Sequence, residues 1–203
     1  NVSFLQDLLN SIAEQGRQLL PASLTGARED VNALAEALVS GRGEASGVAI
    51  ARQILELLRT HWNDPDLRLV LTGGRGTSHG VVEMCRDPRV RHLGRVPAAD
   101  RNGLVAMSRA LVFPSEYEGF GAPLIEAMTL GAPVVCSDRT CMPDVVGDAG
   151  LVLPLDVAAW AGALDDVDRR RPQLVDAGHA RAERFTSVES GRALSAVYER
   201  ALS

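Results

Sequence analysis

Ala110-Leu-Val-Phe-Pro-Ser115-Glu-Tyr-Glu-Gly-Phe120-Gly-Ala-Pro-Leu-Ile125-Glu-Ala-Met-Thr-Leu130-Gly-Ala-Pro-Val-Val135-Cys-Ser137 decides the fold. The apolar runs at 110–114 and 133–137 show no alternation, so each reads as a strand buried on both faces. The stretch 123–130 between them reads as a helix. Pro123 suits its first turn, and Gly131 punctuates its end. Strand, helix and strand in that order imply a parallel pair with a crossover.

The same grammar extends in both directions. Further strands are expected at 67–72, 90–93 and 150–153, and helices at 78–85, 98–107 and from 157 to the C-terminus, broken near Pro172 and Phe185. The expected fold is α/β, a doubly wound, Rossmann-like parallel sheet. Before the turn-rich junction His61-Trp-Asn-Asp-Pro65 the period is helical. Ser3 and Gln6 form a capping box ahead of Phe4, Leu5, Leu8, Leu9 and Ile12. A second stripe, Val31, Leu34 and Leu38, ends near Gly41, and a third runs through Val48, Ala51, Leu55 and Leu58. The sequence therefore predicts a short all-helical segment, 1–60, followed by a doubly wound domain, 61–203.

With 203 residues the chain can bury a real core, and 46% hydrophobic and 23% charged residues place it among ordinary globular proteins. A net charge of -5 disfavours nucleic acid or an anionic membrane as partner. All 21 basic residues are arginine, which excludes a P-loop lysine, a Schiff-base lysine and a lysine general base. Cys85, Cys136 and Cys141 contain no CxxC pair, and their odd number fits a reducing cytosol. The absence of an apolar run of about 18 residues predicts a soluble, cytoplasmic chain without a transmembrane segment. His61, His79, His92 and His179 have no metal-ligand spacing, so no metal is expected. Cys136 reads as a buried small hydrophobe, and Arg169-Arg170-Arg171 as a solvated face, with an interdomain role as the alternative.

In a doubly wound sheet, ligands bind beyond the carboxyl ends of the strands. After the strand at 67–72 comes Thr72-Gly73-Gly74-Arg75-Gly76, either a simple turn or a phosphate loop with Arg75 as charge partner. After the strand at 110–114, Gly119 and Gly121 let the main chain approach a ligand, and the helix start at Pro123 favours an anion. Glu118 and Glu126 can frame one site from two sides, because a carboxylate can accept from two adjacent hydroxyls of a sugar or ribose. Singly, Glu126 also suits a helix N-terminus, and Glu118 a solvated loop.

Glu118-Gly-Phe-Gly-Ala-Pro-Leu-Ile-Glu126-Ala-Met, with Gly131-Ala-Pro-Val-Val-Cys-Ser137 and Pro143-Asp-Val-Val-Gly-Asp-Ala-Gly150, resembles the C-terminal domain of retaining GT-B glycosyltransferases, including their EX7E motif. The resemblance runs from about residue 67 to the end. It implies a donor domain for a nucleotide-diphosphate sugar, a UDP- or GDP-sugar, with no cofactor and with the acceptor held by a separate domain. By position, Glu118 would act at the sugar as the catalytic carboxylate, and Glu126 would hold the ribose hydroxyls. The amides of Phe120, Gly121 and Ala122 would face sugar and phosphates, with Gly73, Gly74 and Arg75 near the donor. Arg95 and Val96 would line the base pocket.

That family's donor domain opens with a strand ending in Gly-Arg, followed about five residues later by a lysine. Gly41-Arg42 can imitate the first, but Gly47 stands at the lysine position, which leaves Arg42, Arg75 and Arg139 as candidate phosphate cations. The segment 40–55, together with 4–12, resembles instead the helical N-terminal domain of malonyl-CoA decarboxylase, which serves assembly. Periodicity favours this helical reading over a donor-domain start. The competing function is then a non-catalytic interaction protein that oligomerises through its helical segment.

Overall fold

The computed structural model describes residues 34–37, 53, 56–62, 64–73 and 79–202. Its strands are β1 (Leu34–Ala37), β2 (Arg68–Thr72), β3 (Val90–Gly94), β4 (Ala110–Phe113), β5 (Val134–Ser137) and β6 (Leu151–Leu153). They form one sheet of order β3-β2-β1-β4-β5-β6 with every neighbouring pair parallel. This is the strand order of a dinucleotide-binding doubly wound sheet, with its switch point between β1 and β4. The expected fold class stands.

The helical reading of residues 34–37 does not. Leu34–Ala37 is a strand at the centre of the sheet, in register with Leu69 through Ala35 on one side and with Leu111 through Glu36 on the other. Leu-Ala-Glu-Ala has strong helix formers and no β-branched residue, so local propensity points the wrong way. Hydrogen bonding to a neighbour on both sides overrides it. The segment 1–60 is therefore not all-helical, and residues from before the expected junction at 61 sit in the middle of the sheet. The helix expected around 4–12, most of the one expected from 48 to about 60, and any assembly role for them lie outside the described residues, although Gln53 and residues 56–60 are helical.

Between and after the strands run α1 (His79–Met84), α2 (Ala98–Met107), α3 (Ala122–Thr129), α4 (Met142–Val146), α5 (Val157–Ala161), α6 (Ala163–Ala182) and α7 (Ser187–Leu202). Every residue of β4 and β5 is buried, as unalternating apolar strands between two helical layers must be. Two main apolar cores result among the described residues. Leu57, Leu58, Trp62, Leu69, Val112, Trp160 and Leu164 pack on one side, and Leu111, Phe113, Leu124, Met128, Val134 and Met142 on the other. At the edge, β3 alternates, with Val90 buried and Arg91 and Leu93 exposed.

Packing is tight enough to dictate glycine at 150. A Cβ there would lie 2.8 Å from the Val134 carbonyl oxygen and 2.5 Å from Val134 Cγ2. Arg171 departs from the solvated face expected of its run. Its guanidinium donates to the carbonyls of Arg109 (2.8 Å) and Ser108 (3.2 Å), satisfying groups just beyond the end of α2, while Arg169 pairs with Asp166 on the surface. Arg109 in turn makes a forked ion pair with Asp168. These arginines lock α6 beneath the β4 entry.

Candidate functional site

In a wholly parallel sheet the carboxyl ends of all strands share one edge, and the expected site residues that are described follow those ends. Gly73 follows β2, Arg95 and Val96 follow β3, the loop with Glu118 follows β4, and Arg139 follows β5. Gly74, Arg75 and Arg42 lie outside the described residues. The β4 loop stands beside the switch point, where strand order reverses and a crevice opens.

The helix that leaves this loop is arranged by its sequence. Leu124, Ala127 and Met128 recur at helical spacing and are buried, so Glu126 is turned to the exposed side. Gly121 is the N-cap, with φ +77° and ψ +43°, a left-handed conformation that favours glycine. Its carbonyl accepts from the Leu124 amide at 2.9 Å, and a Cβ there would come within 3.1 Å of Leu124 Cδ1. Pro123, which has no N–H of its own, occupies the first turn, no side chain caps the helix start, and the positive pole of the helix lies at that end. Ala122 is exposed beside it. Phe120 is 48% exposed and packs edge-on to Phe185 with ring centroids 5.7 Å apart.

Glu118 is half-buried and held from several directions. Ser115 Oγ donates to Glu118 Oε1 at 3.0 Å, the Glu118 amide donates to Thr140 Oγ1 at 3.1 Å, and Cys141 Sγ donates to the Glu118 carbonyl at 3.3 Å. Thr140 and Cys141 follow β5, so the β5–α4 loop is brought against the β4–α3 loop. Arg139, in that same loop, pairs with Asp138 at 3.3 Å. Glu126 meets Arg101 of α2, whose NH2 group is 3.0 Å from Glu126 Oε2.

Farther along the edge, the Gly73 amide donates to the Gly94 carbonyl at 2.7 Å, and His92 Nε2 lies 3.0 Å from the Gly73 carbonyl. The loops after β2 and β3 are thereby joined, with Arg95 exposed and Val96 half-buried beside them. Ser115, Ser137, Thr140 and Arg101 were not singled out from the sequence. Ser115 and Ser137 had one usable signal, a hydroxyl at the carboxyl end of an apolar strand, whereas nothing local marks Thr140 or Arg101.

Cys136 is buried in β5. Burial first, then the nearby Asp138 and Cys141, push its thiol from an ordinary 9.0 up to about 12. None of the three cysteines is disulfide-bonded. Among the described residues no helix is long and apolar enough to cross a membrane.

The family model for group 1 glycosyl transferases matches residues 36–167, from β1 through the start of α6. The chain belongs to this family. The match spans the whole of the segment 40–55, so that part of the stretch expected to be a malonyl-CoA decarboxylase-like helical domain lies inside the glycosyl transferase region. Among curated relatives, O-antigen chain mannosyltransferase B of Escherichia coli is 44% identical over 128 residues, 58% of this chain and 33% of that protein. The MMP alpha-(1->4)-mannosyltransferase of Mycolicibacterium hassiacum is 41% identical over 108 residues, 49% of this chain and 26% of that protein. The chain thus spans about a third or less of these two relatives. Among solved structures, Anabaena HepE in complex with UDP and glucose superposes with a TM-score of 0.68 at 19% identity, covering 90% of this chain and 53% of that one. At that identity the likeness shows the fold, the GT-B type of doubly wound domain.

Proposed function

We propose that this group 1 glycosyl transferase chain is a donor domain that binds a nucleotide-diphosphate sugar for retaining glycosyl transfer, with the acceptor held by a further domain of the kind its longer relatives have room for. The observation behind this reading is the pair Glu118 and Glu126, one at each end of the same loop and first helical turns, beside the switch point of the sheet. Glu126 holds the ribose hydroxyls, and Glu118 acts at the sugar hydroxyls. The amides of Phe120, Gly121 and Ala122 face the diphosphate at the positive end of α3. Gly73, Gly74 and Arg75 approach the donor, and Arg95 and Val96 line the base. With no lysine in the chain, arginine from the set Arg42, Arg75 and Arg139 balances the diphosphate.

Catalysis in this reading is electrostatic. Oriented amides and a cation stabilise the departing diphosphate, while Glu118 fixes the sugar as its anomeric carbon becomes oxocarbenium-like. The mannosyltransferases among the relatives and the UDP complex of HepE make UDP- and GDP-sugars the donors to try first. Three unpaired cysteines support a reducing, cytoplasmic setting.

Nucleotide that binds the native state alone must raise the melting temperature. UDP or GDP is expected to do so. No shift with either, up to about millimolar concentration, corresponding to roughly -4 kcal/mol, would favour the interaction-protein reading instead.

A further inference from the structure

Among the described residues, Thr140 is the one non-glycine residue with positive φ, at +48°. A β-branched residue rarely adopts this left-handed conformation, and such strain persists where the surroundings over-determine it. The surroundings here converge on Glu118. Thr140 Oγ1 accepts from the Glu118 amide at 3.1 Å, and the next residue, Cys141, donates from Sγ to the Glu118 carbonyl at 3.3 Å. Both peptide groups that flank the Glu118 side chain are therefore held by consecutive residues of a different loop.

The carboxylate is held as well. Ser115, 4% exposed, donates to Glu118 Oε1 at 3.0 Å, sharing its proton with the Tyr117 carbonyl at 3.2 Å. Ser115 is anchored in turn by the Ser137 hydroxyl at the end of β5, which donates to the Ser115 carbonyl. The rest of the loop is loose by comparison, with Glu116, Tyr117, Gly119 and Phe120 all exposed. A glutamate that merely solvated the loop would gain nothing from three partners drawn from two strand ends, buried Ser115 on its carboxylate and half-buried Cys141 and exposed, left-handed Thr140 on its main chain.

We propose that Thr140 is a positioning residue for Glu118, acting with Ser115 to fix the carboxylate against the sugar of the donor. The proposal rests on the donor-domain reading above and adds specificity to it. The β5–α4 loop sets how the sugar is read, while the nucleotide is read elsewhere, at Glu126 and the β3 edge.

The test is the ratio of two affinities in one protein, measured by calorimetry on the whole chain: UDP-glucose against UDP, and GDP-mannose against GDP. Thr140→Val removes the hydroxyl at nearly constant shape, and Ser115→Ala removes the donor to the carboxylate. Each is expected to weaken the nucleotide sugar about fivefold, the size of one lost hydrogen bond, while leaving the free nucleotide unchanged. Thr140→Ser keeps the hydroxyl and should restore the parent ratio. Thr140→Gly relieves the backbone and should remain folded by circular dichroism, yet lose the sugar-specific affinity as Thr140→Val does. It also decides the matter if the valine variant does not fold. A ratio unchanged in Thr140→Gly and Ser115→Ala, or equal weakening of nucleotide and nucleotide sugar, overturns the positioning role alone. Failure of the parent chain to bind either nucleotide overturns the donor reading, and this inference with it.

Discussion

The Arg101 guanidinium bridges α2 to the second turn of α3 by donating to Glu126 Oε2 at 3.0 Å. The Arg101 and Glu126 side chains are 35% and 49% exposed, so solvent screens the pair and its contribution to stability should stay below about 1 kcal/mol. Its value is in orienting a carboxylate that would otherwise sample several rotamers. Glu126→Gln should therefore leave the denaturation midpoint nearly unmoved while weakening nucleotide binding by about 1.5–3 kcal/mol. Unchanged affinity for both UDP and GDP in a folded variant would reduce Glu126 to a helix-terminus charge.

Gly121 combines a left-handed backbone with a tight neighbour. Gly121→Ala should destabilise the fold by about 1–3 kcal/mol, because alanine must adopt φ near +77° and its Cβ presses on Leu124. Nucleotide binding should fall further than stability explains, since the amide presented at the helix start moves with the turn. Chemical denaturation and calorimetry on the same sample separate the two effects. Normal binding by a folded Gly121→Ala protein would remove the loop as the phosphate platform.

The raised Cys136 thiol has a signed consequence. Below pH 9 the thiol is neutral in both folded and unfolded chains and contributes no pH dependence. Between 9.0 and about 12 the unfolded thiol ionises while the buried one does not, so the unfolded state binds fewer protons and stability falls as pH rises. A Cys136→Ala variant should lose stability less steeply over that window. Near neutral pH, iodoacetamide should modify half-buried Cys85 and Cys141 before Cys136. Modification of Cys136 in the native protein at a rate like theirs would contradict its burial.

Removing residues 1–60 deletes β1, the strand between β2 and β4. The remaining chain would expose the inner edges of two apolar strands and lose the switch point itself. The 61–203 fragment should therefore not fold cooperatively, as read by a thermal melt with circular dichroism. A cooperative melt would show that β1 is dispensable and would restore the junction near residue 61 as a domain boundary.

The buried strands β2, β4 and β5 were legible because parallel strands covered on both faces are written as apolar runs, and the edge strand β6 because Leu151-Val-Leu153 is itself a short apolar run. The helices between them were legible because Leu124, Ala127 and Met128 repeat at a helical period. Leu34–Ala37 was illegible for the converse reason. A four-residue strand of helix formers owes its conformation wholly to its two neighbours, and no local pattern can encode that. In the site, the Glu118 and Glu126 spacing was visible in sequence because one loop and one helix contain both. Thr140 and Arg101 were not, since each reaches its glutamate from a separate element, over 22 and 25 residues of chain. Arg171 was misread from its charged run. Its role depends on carbonyls beyond the end of α2, which only the folded chain brings within reach.

A crystal structure of the whole chain with UDP-glucose or GDP-mannose measures directly where the donor lies. The ribose hydroxyls should fall within hydrogen-bonding distance of the Glu126 carboxylate, the diphosphate over the amides of Phe120, Gly121 and Ala122, and the sugar hydroxyls against Glu118. A nucleotide sugar bound away from the β4–α3 loop, or one whose ribose touches neither glutamate, would contradict the donor-site assignment.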